Sequence, residues 1–97
     1  LLDELTGLHN RRGFLTFAEA ELRRVRRSGQ GGALLAFADL DGLKAINDRH
    51  GHAAGDAALC AVARALRDVV GAQGLVARWS GDEFVALLPA FEDLEPA

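Results

Sequence analysis

Ninety-seven residues, 49% apolar and 26% charged, suffice for one domain with one core. A net charge of -3 gives no support to a nucleic-acid-coating surface, so that class of partner is set aside. The single cysteine excludes an internal disulfide and points to a reducing compartment. With no apolar run near the roughly 20 residues of a bilayer span, and no signal peptide at the start, direct membrane contact is not expected.

The chain opens with LLDELTGLHNRRGF. Asn10 is a helix cap, and a helix is expected from Arg11, with Phe14, Ala18, Leu22 and Val25 on one apolar face. Ser28 and Gly29 end it. Arg23, Arg24, Arg26 and Arg27 cluster on this helix and are read as a solvated face rather than a binding patch. Ala33 to Asp39 is apolar up to its closing carboxylate, which predicts a strand at the centre of a sheet, covered on both faces. Leu43 to Arg49 reads as a short helix closed by Gly51. A second helix runs from about Ala54 to Val70, with a stripe of Leu59, Val62, Ala63, Leu66, Val69 and Val70. Cys60 lies on this helix and is expected to pack in the core.

Beyond Gly71 and Gly74, two further strands are expected, Leu75 to Trp79 and Glu83 to Leu88. A hairpin turn at Ser80-Gly81-Asp82 joins them. Pro89 is expected to stop the last strand, and PAFEDLEPA reads as the opening of another helix. The βααββ core predicts an α+β fold, an antiparallel-containing sheet with helices packed on one face. The interrupted last helix implies that the C-terminal portion is missing and that one sheet face is poorly covered.

The chemistry concentrates in FADLDGLKAINDRHGHAAGD and RWSGDEF. Asp39 ends a buried run, where a carboxylate is costly unless it is paired or binds a cation. Asp82 comes beside it if the two strands are neighbours. Two carboxylates with backbone oxygens suit a magnesium ion that shares its shell with phosphates. The alternative is that Asp39 and Asp41 form a turn and bind nothing. An EF-hand loop from Asp39 fails, because its sixth and twelfth positions hold Lys44 and His50. A G-x-x-x-x-G-K-[ST] loop is absent. His50 and His52 lack further ligands at zinc spacing and are read as structural. Trp79 is read as core. Asn47 and Asp56 form an amide–carboxylate pair of the kind that reads a guanine edge, the alternative being that Asp56 caps a helix.

Three segments, DELTGLHNRRGF, FADLDGLKAINDRHGHAAGD and ARWSGDEFVALLP, together resemble the GGDEF domain of diguanylate cyclases. The resemblance spans nearly the whole chain and treats residues 1–97 as one domain of this type, the N-terminal part of the full domain. It implies a ferredoxin-like sheet similar to the palm of nucleotidyl cyclases and polymerases. It also implies condensation of two GTP into cyclic di-GMP with release of pyrophosphate, a bacterial second-messenger reaction in the cytoplasm. Matched by position, Asp39 and Asp82 would hold Mg2+ or Mn2+ with help from the Leu40 carbonyl. Glu83 is the signature's second acid and joins these two as a catalytic candidate. Asn47 and Asp56 would bind guanine, Lys44 would contact phosphate, and Leu43 would pack near the nucleotide. Gly81 would admit the phosphates, and His52 is counted with the substrate-binding residues. The implied partners are GTP, a second copy of the domain as a homodimer, and a sensor domain in the parent protein.

Three departures accompany the resemblance. Ser80 replaces a glycine, and a positive φ there would cost about 1 kcal/mol or more. The product-inhibition motif R-x-x-D aligns with Gly71-Ala72-Gln73-Gly74 and is absent. The chain stops after the hairpin, without the basic residues that grip phosphates. They leave open a degenerate module that binds GTP or a partner and regulates without turnover. They also lead us to expect that the chain alone is catalytically silent and self-associates.

Overall fold

The computed structural model describes residues 1–29 and 31–90. In chain order the elements are α1 (Arg11–Ser28), β1 (Gly32–Asp39), α2 (Leu43–His50), α3 (His52–Val70), β2 (Leu75–Ser80) and β3 (Glu83–Ala90). The fold is α+β: the described residues form three helices and one antiparallel sheet with strand order β1-β3-β2. No helix among the described residues is long and apolar enough to cross a membrane.

The termini of α1 are set as the cap residues predict. The Asn10 side chain accepts from the Gly13 N–H at 2.8 Å. Gly29 closes the helix in the left-handed region, its N–H donating to the Val25 carbonyl at 3.1 Å. Phe14 and Ala18 are buried, but Leu22 is exposed. The later turns of α1 stand away from the sheet across a cavity of about 390 Å³, lined by Phe17, Arg24, Arg27, Leu75 and Leu87 among others. The four arginines of this region are exposed, as expected of a solvated face.

Alternation along β2 and β3 builds two cores. Val76, Phe84 and Ala86 point to the face covered by α3, where they meet Leu59 and Ala63. Ala77, Val85 and Leu87 point to the opposite face and pack on Phe14 and Ala18 of α1. The helices therefore cover both faces of the sheet, not one. The unbroken apolar run of β3 carries this information, since a strand covered on one side alternates with polar residues. Cys60 is half-buried beside the Leu5 carbonyl, its Sγ 3.4 Å away. Trp79 is half-buried and packs edge-on against Phe14 and Phe37, with the Arg11 guanidinium over its ring. Val69 departs from the expected stripe and is exposed.

Two expectations about strands fail. The central strand is β3, while β1 lies at the edge of the described sheet and is exposed over most of its length. Apolar content reports the ability to be buried; neighbours decide whether burial happens. Pro89 does not stop β3, which continues to Ala90, with Pro89 opposite Ala33. The pairing of β2 with β3 ends at Leu75–Leu87, so a residue lacking an N–H removes no bond on that side. Most of the helix expected over PAFEDLEPA falls on residues 91–97, outside the described residues.

Candidate active site

Asp39, the last residue of β1, stands directly across from Glu83, the first residue of β3. The Leu40 N–H donates to the Asp82 carbonyl at 2.8 Å, tying the exit of β1 to the hairpin turn. Three of the expected acidic residues are thus gathered at one end of the sheet. Partial desolvation, then the negative fields of Glu83, Asp82 and Asp41, push the Asp39 carboxyl above its ordinary 3.8, although the residue remains exposed. Like charges opposite one another in a ladder are mutually destabilising. A divalent cation relieves that repulsion, so the donor chemistry fits magnesium or manganese. Among the described residues no three His, Cys, Asp or Glu side chains form a metal cage by themselves. Asp39, Asp82 and the Leu40 carbonyl offer part of a shell, of the kind completed by phosphate and water.

The hairpin is held from two sides. A register shift between Arg78 and Ser80 accommodates Trp79 as a bulge and brings Ser80 opposite Glu83. The Ser80 hydroxyl donates to Glu83 Oε1. Among the described residues no non-glycine residue has a positive φ, so Ser80 carries none of the strain anticipated for it. Gly81 is exposed, and a Cβ there would meet nothing within 4 Å, which leaves open space over the turn.

On the other side Arg78 clamps the turn. Its Nε and Nη2 donate to the Gly81 carbonyl at 3.1 and 2.9 Å, and its Nη1 reaches Asp3 Oδ1 at 3.3 Å. Asp3 Oδ2 also accepts from the Thr6 N–H and hydroxyl, each at 2.8 Å. Burial raises the Asp3 carboxyl, but the Thr6 hydrogen bonds and the Arg78 guanidinium outweigh it and hold the group below its ordinary value. Sequence reading passed over Asp3, Thr6 and Arg78. The Asp3–Thr6 spacing is a local turn signal, whereas nothing local joins either residue to Arg78.

The nucleoside-reading candidates lie on the helical hairpin. Gly42, at φ 82, caps α2 in the left-handed region and lets the chain turn from Asp39 into the helix. Leu43 is half-buried against the α3-side core, and Lys44 is exposed. Asn47 packs over the buried Gly55, where a Cβ would fall 1.7 Å from Asn47 Oδ1. That oxygen is buried and has no hydrogen-bond partner among the described residues. Asp56 follows Gly55 on α3 and is exposed. The structure therefore brings Asn47 beside the turn of α3 that carries Asp56. His52 opens α3, and His50 ends α2; both are exposed.

The profile of the family described as "Diguanylate cyclase, GGDEF domain" matches residues 1–96. The diguanylate cyclase DgcP of Pseudomonas aeruginosa is 47% identical over 90 residues, which are 93% of this chain and 13% of that protein. A solved sensory box/GGDEF family protein from Caulobacter crescentus CB15 superposes with a TM-score of 0.84 at 43% identity, over 95% of this chain and 58% of that one. The coiled coil and GGDEF domain of DgcB from Caulobacter crescentus, solved in complex with c-di-GMP, gives 0.86 at 29% identity, covering 95% and 48%. The chain thus spans about half the length of these solved chains and a much smaller part of DgcP. The profile match takes in the sheet, the helical hairpin and the acidic hairpin turn, and the chain belongs to the GGDEF domain family.

Proposed function

We propose that the polypeptide carrying this chain condenses two GTP molecules into cyclic di-GMP in the cytoplasm. The observation that carries this reading is the meeting of Asp39 and Glu83 across the β1–β3 pair, with Asp82 bonded through its carbonyl to the residue after Asp39. In each half of the reaction the 3′-hydroxyl of one GTP attacks the α-phosphorus of the other. The bond to pyrophosphate breaks, and the hydroxyl proton leaves to solvent or base. Two such steps close the ring and release two pyrophosphates.

Asp39 and Asp82, with the Leu40 carbonyl, would hold Mg2+ or Mn2+. Such an ion supplies charge stabilisation for the attacking and leaving oxygens. Asn47 Oδ1, unpartnered in the structure, would accept from the guanine exocyclic amine, and its Nδ2 would donate to N3. Asp56 would accept from the ring N–H and the same amine. Lys44, exposed on the helix that leaves Asp39, would balance phosphate charge. Gly81 leaves the turn open for phosphates. Leu43 would pack beside the nucleotide, and His52 would border it at the start of α3. One such site orients one nucleotide, so ring closure calls for a second copy of the domain facing the first across a two-fold axis.

The test is incubation of the purified natural polypeptide with GTP and Mg2+, with chromatographic detection of cyclic di-GMP. Product that disappears in Asp82→Asn is expected. GTP binding without product would replace this reading by a nucleotide-binding regulatory module.

A further inference from the structure

The hydroxyl of Ser80 has no place in the reaction outlined above, yet it is bonded to one of the acidic residues of the site. The bulge at Trp79 brings Ser80 into register with Glu83 at the closing pair of the hairpin. There the hydroxyl donates to Glu83 Oε1. Glu83 is half-buried, and among the described residues this hydroxyl is the one side-chain donor to its carboxylate. The same carboxylate lies opposite Asp39 and raises it. A glycine at position 80 supplies neither donor nor anchor, and a glutamate on an exposed hairpin then samples many rotamers.

We propose that Ser80 is a positioning residue: its hydroxyl fixes one oxygen of Glu83 beside Asp39, so that the acidic end of the sheet is arranged before a divalent cation and nucleotide arrive. The proposal rests on the reading of this site as a metal–GTP site. Charge-assisted hydrogen bonds are shorter and stronger than neutral ones, and a preset carboxylate loses less freedom on binding. Backbone geometry makes this available without strain, since Ser80 has no positive φ even though it follows the bulge at Trp79. The substitution in the signature is thereby a gain of one contact rather than a blemish in the turn.

The experiment measures Mn2+ binding by electron paramagnetic resonance of free Mn2+. It uses the natural polypeptide saturated with GTP whose α,β-bridging oxygen is a methylene. Wild type, Ser80→Ala, Ser80→Thr and Asp82→Asn are compared, together with Glu83→Gln and the double variant Ser80→Ala/Glu83→Gln. Ser80→Ala is expected to weaken Mn2+ binding by about fivefold, while Ser80→Thr, which keeps the hydroxyl, stays within about twofold of wild type. Thermal midpoints should be alike for the three Ser80 forms. In a Glu83→Gln background the Ser80→Ala effect should vanish. Equal Mn2+ binding by wild type and Ser80→Ala, or a threonine no better than alanine, overturns the role of Ser80 while leaving the site reading intact if Asp82→Asn still loses Mn2+. Failure of wild type itself to bind Mn2+ overturns both.

Discussion

β1 and β3 are both eight-residue apolar strands, paired along their whole length, yet they occupy opposite environments. In β3, Phe84 and Val85 are each 1% exposed, because β3 has a strand on either side and a helix over each face. In β1, Leu35 and Phe37 are 57% and 62% exposed, because the strand is flanked on one side alone within the described sheet. The difference separates two duties at the acidic end of the sheet. Glu83 is rooted in the packed centre, whereas Asp39 sits at the end of a strand held mainly by its hydrogen bonds to β3.

The largest test of this contrast is a pair of truncations. Phe84→Ala should cost about 3–5 kcal/mol, the range for a buried aromatic, and abolish a cooperative thermal transition in so small a chain. Phe37→Ala, which loses little beyond an edge-on contact with Trp79, should cost about 1 kcal/mol. Comparable losses from the two, read by denaturant titration, would mean that β1 is covered in solution.

Next comes the charge at the strand end. Asp39→Asn should lower turnover of the natural polypeptide by about 100-fold or more, as removal of a group stabilising transition-state charge does. The same change should raise the thermal midpoint at neutral pH with metal chelated. The sign follows from linkage. The folded state raises the Asp39 pKa, so wild type is relatively most stable below the ordinary 3.8, and loses that advantage as pH rises through the folded value. The asparagine protein escapes this loss, and the gap between the two should close in acid. A midpoint lower than wild type at pH 7 would contradict the repulsion argument.

A smaller effect probes the clamp on the hairpin. Asp3→Asn should cost about 1 kcal/mol, because the Asp3–Arg78 pair is well shielded but not fully buried. Here the sign is opposite. The Asp3 pKa is lowered by folding, so its contribution is complete above the ordinary 3.8 and is lost as pH falls through the folded value. Denaturation curves of the two proteins should diverge at pH 7 and converge in acid. A gap that does not change with pH would assign the cost to packing rather than charge.

How far the sequence could be read follows from the range of the forces involved. The ends of α1 were legible in Asn10 and Gly29, since capping is settled within one turn of chain. The convergence of Asp39 with Asp82 and Glu83 was legible once the apolar runs on either side were seen as adjacent strands. The edge position of β1 was not legible, because its sequence is that of a covered strand. Pro89 misled for a related reason: its missing N–H matters only where a neighbour waits for it. The Arg78 clamp was hidden because its partner belongs to the opening loop, and no periodicity spans that separation. The two-sided helical cover is legible in FVALL, which has no polar alternation to suggest an open face.

The contact between Asn47 and Gly55 has a consequence for how such a chain can vary over time. A methyl group on Gly55 would overlap Asn47 Oδ1, and the short amide side chain would have to swing out of its place. Alanine is otherwise the better helix former by about 1 kcal/mol, so α3 alone would favour it. The two positions are therefore coupled in packing. Gly55→Ala would displace the Asn47 amide from its present place, so this placement of Asn47 and an alanine at 55 exclude one another. A more stable helix and a retained amide are alternative inheritances, and this chain carries the second.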